Sequence, residues 1–178
     1  METMETIILK NLIQNEDYTR RVVPFLDEEY FKDRNERIVY TIIRDHIHKY
    51  NRSPNRDALI IALDDRGGMT EQSYKDTSII IKSITDTVDP VDNEWLMDQT
   101  EKFCKDKAVY NAILRSIEII DGKSKNETKN AIPNILSDAL SVSFDEQIGH
   151  DYISDADDRF DFYHKVEHKT PFDLDLFN

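Results

Sequence analysis

Gly122-Lys123-Ser124 has the ending of a phosphate-cradling loop, in which a glycine-rich backbone curls round phosphates between a strand and a helix. The position that needs the loop's first glycine is Ile117, inside a helical pattern, so the tripeptide reads as a turn. Asp45-His46 and His150-Asp151 are the residue types from which HD-type phosphohydrolases hold metal ions and activate water, provided that packed helices bring them together. His46 and His48 are two apart on a helix and point to different sides, while His150 follows Gly149 in a loop; solvated histidines are the better reading. His164 and His168 share a helical face without a third ligand, and suit the negative end of a helix. Arg20-Arg21 and Arg34, Arg37, Arg44, Arg52 and Arg56 supply local positive charge for phosphates. Asp17, Asp33, Glu36, Asp45 and Asp57 are interleaved with them, which predicts an ion-paired, solvated face rather than a DNA groove. The residues therefore assign no catalytic, cofactor-binding or metal-ligating side chain.

The charge balance agrees. With 36 acidic and 23 basic side chains the net charge is -13, which opposes binding of nucleic-acid phosphates by the chain as a whole. One cysteine, Cys104, provides neither an internal disulfide nor a thiolate cluster for zinc, as expected in a reducing compartment. The acidic start, Met1-Glu2-Thr3-Met4-Glu5-Thr6, lacks the basic stretch and apolar segment of a secretory signal, and no run approaches a membrane span. These features predict a cytoplasmic protein with no membrane contact. A length of 178 residues suits one core with an appendage.

The elements that must position any site read as helices. Only four glycines occur, and apolar residues recur at three and four rather than two, so the fold class is all-α. Leu9, Leu12 and Ile13 mark a first short helix; Ile38, Ile42 and Ile47 a second, ending near Tyr50-Asn51. Asn55 caps a third that carries Leu59, Ile60 and Leu63 and stops at Gly67-Gly68. Thr70 caps a fourth through Tyr74 and Ile79-Ile80-Ile81 to Asp89-Pro90. Residues 1–92 thus form a helical head.

Residues 93–121 contain neither Gly nor Pro, and Leu96, Phe103, Tyr110, Ile113, Ile117 and Ile120 fall on alternating steps of three and four once Gln99 and Asp106 are counted in register, a coiled-coil-like seam. Such a helix is longer than the head needs for its own core. After Gly122, a second stripe of Ile132, Leu136, Ala139 and Ser143, with Ile135 and Leu140 beside it and Pro133 in its first turn, packs back as an antiparallel helix. Residues 93–142 are therefore expected to form a projecting hairpin that copies of the chain share. Its interface would be Leu96, Phe103, Tyr110, Ile113, Ile117, Ile120, Ile132, Leu136 and Leu140. Residues 143–178 carry ten acids and three bases, net -7, against net -5 for residues 1–92 and -1 for 93–142. Within this acidic linker Ser154-Asp155-Ala156-Asp157 resembles a capping box, and Pro171 stops a short helix with Phe160, Tyr163 and Val166 among its apolar positions.

Several segments, in order, are similar to the N-terminal part of the replicative DNA helicase of T-even-type phages, a DnaB-like hexameric helicase. They are Met4-Glu5-Thr6-Ile7-Ile8-Leu9-Lys10-Asn11-Leu12-Ile13, Phe25-Leu26-Asp27-Glu28-Glu29-Tyr30-Phe31, Trp95-Leu96 with Thr100-Glu101-Lys102-Phe103, Ala139-Leu140-Ser141-Val142-Ser143-Phe144-Asp145 and Gly149-His150-Asp151. Lys169-Thr170-Pro171-Phe172 is similar to the stretch before the family's RecA-like motor. The resemblance implies a helical head and hairpin that form a collar by dimeric pairing within a hexameric ring. It also implies a linker helix, 154–169, docking through Phe160, Tyr163 and Val166 on a neighbouring motor. A DnaG-type primase and a helicase loader are the implied partners. Nothing here matches the motor's P-loop, acidic metal ligand or arginine finger, so the resemblance implies a truncated helicase or an isolated N-terminal domain that is not expected to be catalytic. ATP, magnesium and single-stranded DNA would engage the parent protein's motor. The alternative is a stand-alone acidic phage regulator that binds a host protein; a metal hydrolase of the HD type is the third reading.

Overall fold

A computed structural model of the chain describes residues 2–86, 91–124 and 127–144. Seven α-helices follow in order: α1 (Met4–Gln14), α2 (Glu16–Val22), α3 (Arg34–Tyr50), α4 (Arg56–Asp64), α5 (Glu71–Asp86), α6 (Asn93–Ile120) and α7 (Ile132–Leu140). Short 3-10 turns at Val23–Phe25 and Glu28–Tyr30 join α2 to α3, and a third, Lys129–Ala131, leads into α7. The fold is all-α, as the spacing predicts, with no strand among the described residues.

Local chemistry sets the helix ends. Side chains of Thr3, Asn15, Asp33, Asn55 and Asp92 accept hydrogen bonds from the first-turn amides of α1, α2, α3, α4 and α6. The Thr70 hydroxyl accepts from the Ser73 amide at 3.2 Å before α5. At its other end α3 stops where Asn51 turns left-handed at φ 52°, a conformation Asn tolerates better than most residues. Pro133 sits in the first turn of α7, where its missing N–H removes no helical bond.

The core joins α1 to α5 and the beginning of α6. Ile8, Leu9 and Leu12 of α1, Val39, Tyr40 and Ile43 of α3, Leu59 and Leu63 of α4 and Ile81 and Ile84 of α5 are all buried together. Phe31 stacks on Tyr40 with ring centroids 4.7 Å apart, and Tyr40 spends its hydroxyl on the Leu26 carbonyl at 2.7 Å. From α6, Leu96 and Cys104 are enclosed, and Thr100 hydrogen-bonds the Tyr18 hydroxyl at 2.8 Å. The chain following α7 returns to this core, where Phe144 lies against Phe25 with centroids 4.7 Å apart.

Cys104 sits where α6 meets the head. Burial, aided by the Glu101 carboxylate, pushes its thiol up to about 12, far above the range of a reactive thiolate. Cys104 is therefore expected to stay unlabelled by a maleimide at about pH 8 in the native protein and to react at once in guanidinium. Rapid native labelling would mean that α6 is not packed on the head.

Candidate self-association surface

The long helix α6 has 28 residues and spans about 42 Å at ~1.5 Å per residue. Its buried residues advance by four: Leu96, Thr100, Cys104, Ala108, Ala112 and Ser116, then Ile119. Because an α-helix turns ~100° per residue, a step of four drifts by ~40°, so this line winds round the rod. At its start it faces the head core. Further along it faces α7, where Ala108 and Ala112 are buried with Ala139, flanked by Val109, Ile135, Leu136 and Val142. Small side chains on both helices allow their backbones to approach closely.

Contacts along the pair run in opposite directions. Arg115 donates through Nε to Glu127 at 2.9 Å near the far end, and Ser143 donates to Glu101 at 3.1 Å near the head. Arg115 holds the Glu127 carboxyl below its ordinary value, and Lys105 does the same to Glu101. Between the helices, Gly122 takes φ +72°; its amide donates to the Ile119 carbonyl at 3.2 Å and the Lys123 amide to that of Glu118 at 2.9 Å. This pair of bonds is the capping pattern that lets a glycine end a helix. It also decides the phosphate question: the two amides a phosphate would need are spent on helix carbonyls, so Gly122-Lys123-Ser124 does not fit one.

The large apolar side chains of α6 lie on another face. Tyr110 is 60% exposed, Ile113 46%, Leu114 44%, Ile117 49% and Ile120 56%. On α7, Leu140 is 72% exposed. The residues read from sequence as one stripe are thus divided. Leu96 is fully buried within the chain. Phe103 is half-buried 6.4 Å from the Phe31 ring, with Lys107 over its face at 5.1 Å. Ile132 and Leu136 are half-buried, Leu136 against the α6–α7 core. Tyr110, Ile113, Ile117 and Ile120 face outward together, and Leu114, which the heptad reading omits, joins them as the residue three before Ile117. Phe160, Tyr163 and Val166 lie outside the described residues, as do the capping box at Ser154 and His150, Asp151, His164 and His168.

Three arginines of the head form surface ion pairs, and Arg37 donates to the Phe31 carbonyl at 3.1 Å. Arg44 meets Glu28 and Asp45, each at 3.2 Å, Arg56 meets Asp86 at 2.7 Å and Arg20 meets Glu16 at 3.7 Å. Of these partners Asp45 and Glu16 are close in sequence, whereas Glu28 and Asp86 are brought in by the fold. His46 tilts against Tyr50 with centroids 4.7 Å apart, and burial followed by Arg52 and Lys49 lowers its pKa. Among the described residues no three His, Cys, Asp or Glu side chains converge as a metal ion requires. No described helix is long and apolar enough to cross a membrane.

No family model matches the chain. Across 183 aligned positions, covering 98% of it, the chain is 34% identical to a DnaB-like replicative helicase of Enterobacteria phage T4. It matches the N-terminal part of that protein. The chain spans 38% of that relative's length. The aligned stretch therefore spans the head, α6 and α7.

Opposite sides of α6 should respond oppositely to charge. Ala112→Asp places a carboxylate in the α6–α7 core and is expected to cost several kcal/mol, on the order of 3. Ile113→Asp, one residue on and outward, should stay within ~0.5 kcal/mol in dilute protein. Urea melts followed by far-ultraviolet circular dichroism check the pair; equal losses would show that both sides are covered within one chain.

Proposed function

We propose that the outward stripe of Tyr110, Ile113, Leu114, Ile117 and Ile120 pairs copies of this chain, which serves as the collar module of a ring-forming replicative helicase. The exposed stripe carries this reading. Five large apolar side chains on one helix face form an unusual surface for a protein that stays single, and burying the exposed half of each is worth roughly 1 kcal/mol relative to water. An isologous pairing, in which the stripe of one copy meets the same stripe of another, joins subunits two by two and leaves the heads to complete a ring, a hexamer in this proposal. The match to the N-terminal part of a helicase supports the same assignment.

In this reading the collar is the contact surface for a DnaG-type primase and a helicase loader. Single-stranded DNA, ATP and magnesium engage a motor domain outside the segment described. The chain contributes assembly and docking rather than chemistry. Its acidic surface keeps DNA from adhering to the collar and leaves the grip to the motor.

Sedimentation equilibrium across a concentration series tests the pairing. The chain is expected to gain mass with concentration, and the double variant Ile113→Asp with Ile117→Asp to remain a protomer while keeping its helical signal. A chain that stays a strict monomer from micromolar to millimolar concentration, or a double variant whose assembly is unchanged, would overturn the proposal.

A further inference from the structure

Away from α6 and α7, helices α3 and α4 enclose an open groove of about 590 Å³. Its floor is aliphatic: Ile42 from α3, and Ala58, Ile61 and Ala62 from α4. Ile61 is 61% exposed, although it stands in the middle of a helix whose Leu59 and Leu63 are fully committed to the core. Around that floor stand Lys49, Arg52 and Arg66, none of which makes an ion pair among the described residues. Lys49 instead rests over the Tyr50 ring at 5.1 Å, and the His46 ring is tilted against the same ring. Two carboxylates also reach the rim; Asp45 is paired with Arg44, leaving Asp65 beside Arg66.

Lys49, Arg52 and Arg66 thus gather three cations without ion pairs round one apolar floor, on a chain of net charge -13. We infer that the α3–α4 groove is a docking site for a short acidic, apolar peptide segment of a partner protein. Aliphatic side chains of the segment occupy the floor over Ile61 while its carboxylates meet Lys49, Arg52 and Arg66. Such a segment would be charge-complementary at the rim and apolar at the floor, the arrangement by which an interface gains specificity from its edge and affinity from its centre. A nucleic acid is the other polyanion to weigh. It is favoured by serial aromatic platforms, whereas this groove offers one exposed ring, Tyr50, and a floor of aliphatic side chains. The inference does not rest on pairing through α6, since none of the groove's residues belongs to α6 or α7.

A fluorescein-labelled synthetic peptide of alternating Asp and Leu ending in Phe provides the probe, titrated with the full chain and read by anisotropy. Saturable binding is expected, weakening as salt rises. The Lys49→Glu, Arg66→Glu pair should weaken it roughly tenfold or more, while Lys123→Glu with Lys129→Glu, which reverses as much charge at the α6–α7 turn, should leave it unchanged. Ile61→Ser, at an exposed position that the fold does not need, should weaken it too, and the His46 ring resonance should move on binding. No saturable binding, equal losses from both charge-reversal pairs, or equal binding of peptides with Asn for Asp or Ser for Leu would overturn the inference. So would a short oligothymidylate that binds the groove more tightly than the peptide, which would assign it to nucleic acid instead.

Discussion

One rod with two coverings governs this molecule. The head covers α6 over its first half, burying Leu96, Thr100 and Cys104, and α7 covers its second half from another side, burying Ala108, Ala112 and Ser116. Where the head runs out, nothing else among the described residues continues on that side of the helix. The face that is core at Leu96 becomes surface by Ile113. Small residues on the α7 side matter as much as large ones opposite: alanines at 108, 112 and 139 let a helix of only nine residues pack closely against the rod. A bulky residue there would force α7 outward and expose the floor of the hairpin.

Much of this was legible in the sequence because capping chemistry is local. Asn55, Thr70, Asn51, Gly122 and Pro133 act through side chains or backbone angles within a few residues, and the helix ends fall where they predict. The short helix α2 and the 3-10 turns around Phe25 and Tyr30 were not legible, because seven- and three-residue elements carry too few turns for a periodic signal. The division of the α6 stripe was hidden for a different reason. A heptad reading weighs large side chains, yet the face that α6 buries against α7 consists of Ala and Ser, which carry little hydrophobic signal. Leu96 and Ile117 share a face in the heptad, but only tertiary structure tells how far along the rod the head extends.

The same limit applies to charge. Interleaved acids predict a neutralised arginine face, and pairing does occur, but through Glu28 and Asp86, which stand far from Arg44 and Arg56 in sequence. Which cations are left over is a property of the packing. Lys49, Arg52 and Arg66 are no more conspicuous in the sequence than Arg44 or Arg56; the fold gathers them at one groove because α3 ends and α4 ends on its rim.

Net charge finally bears on how copies of such a chain can meet. At -13, random encounters between copies are repulsive, and a surface suited to pairing should lie where the repulsion is least. Residues 93–142 carry eight acids and seven bases, close to neutral, while the rest of the chain holds the excess. Two of the cations on this stretch are also spent internally, Arg115 on Glu127 and Lys123 on Asp121. With a Debye length of roughly 8 Å at physiological salt, charge on a distant head is largely screened from a contact along the far half of a ~40 Å rod. The large apolar side chains and the weakest electrostatic penalty therefore coincide on the same stretch of helix, which is the combination that self-association through it requires.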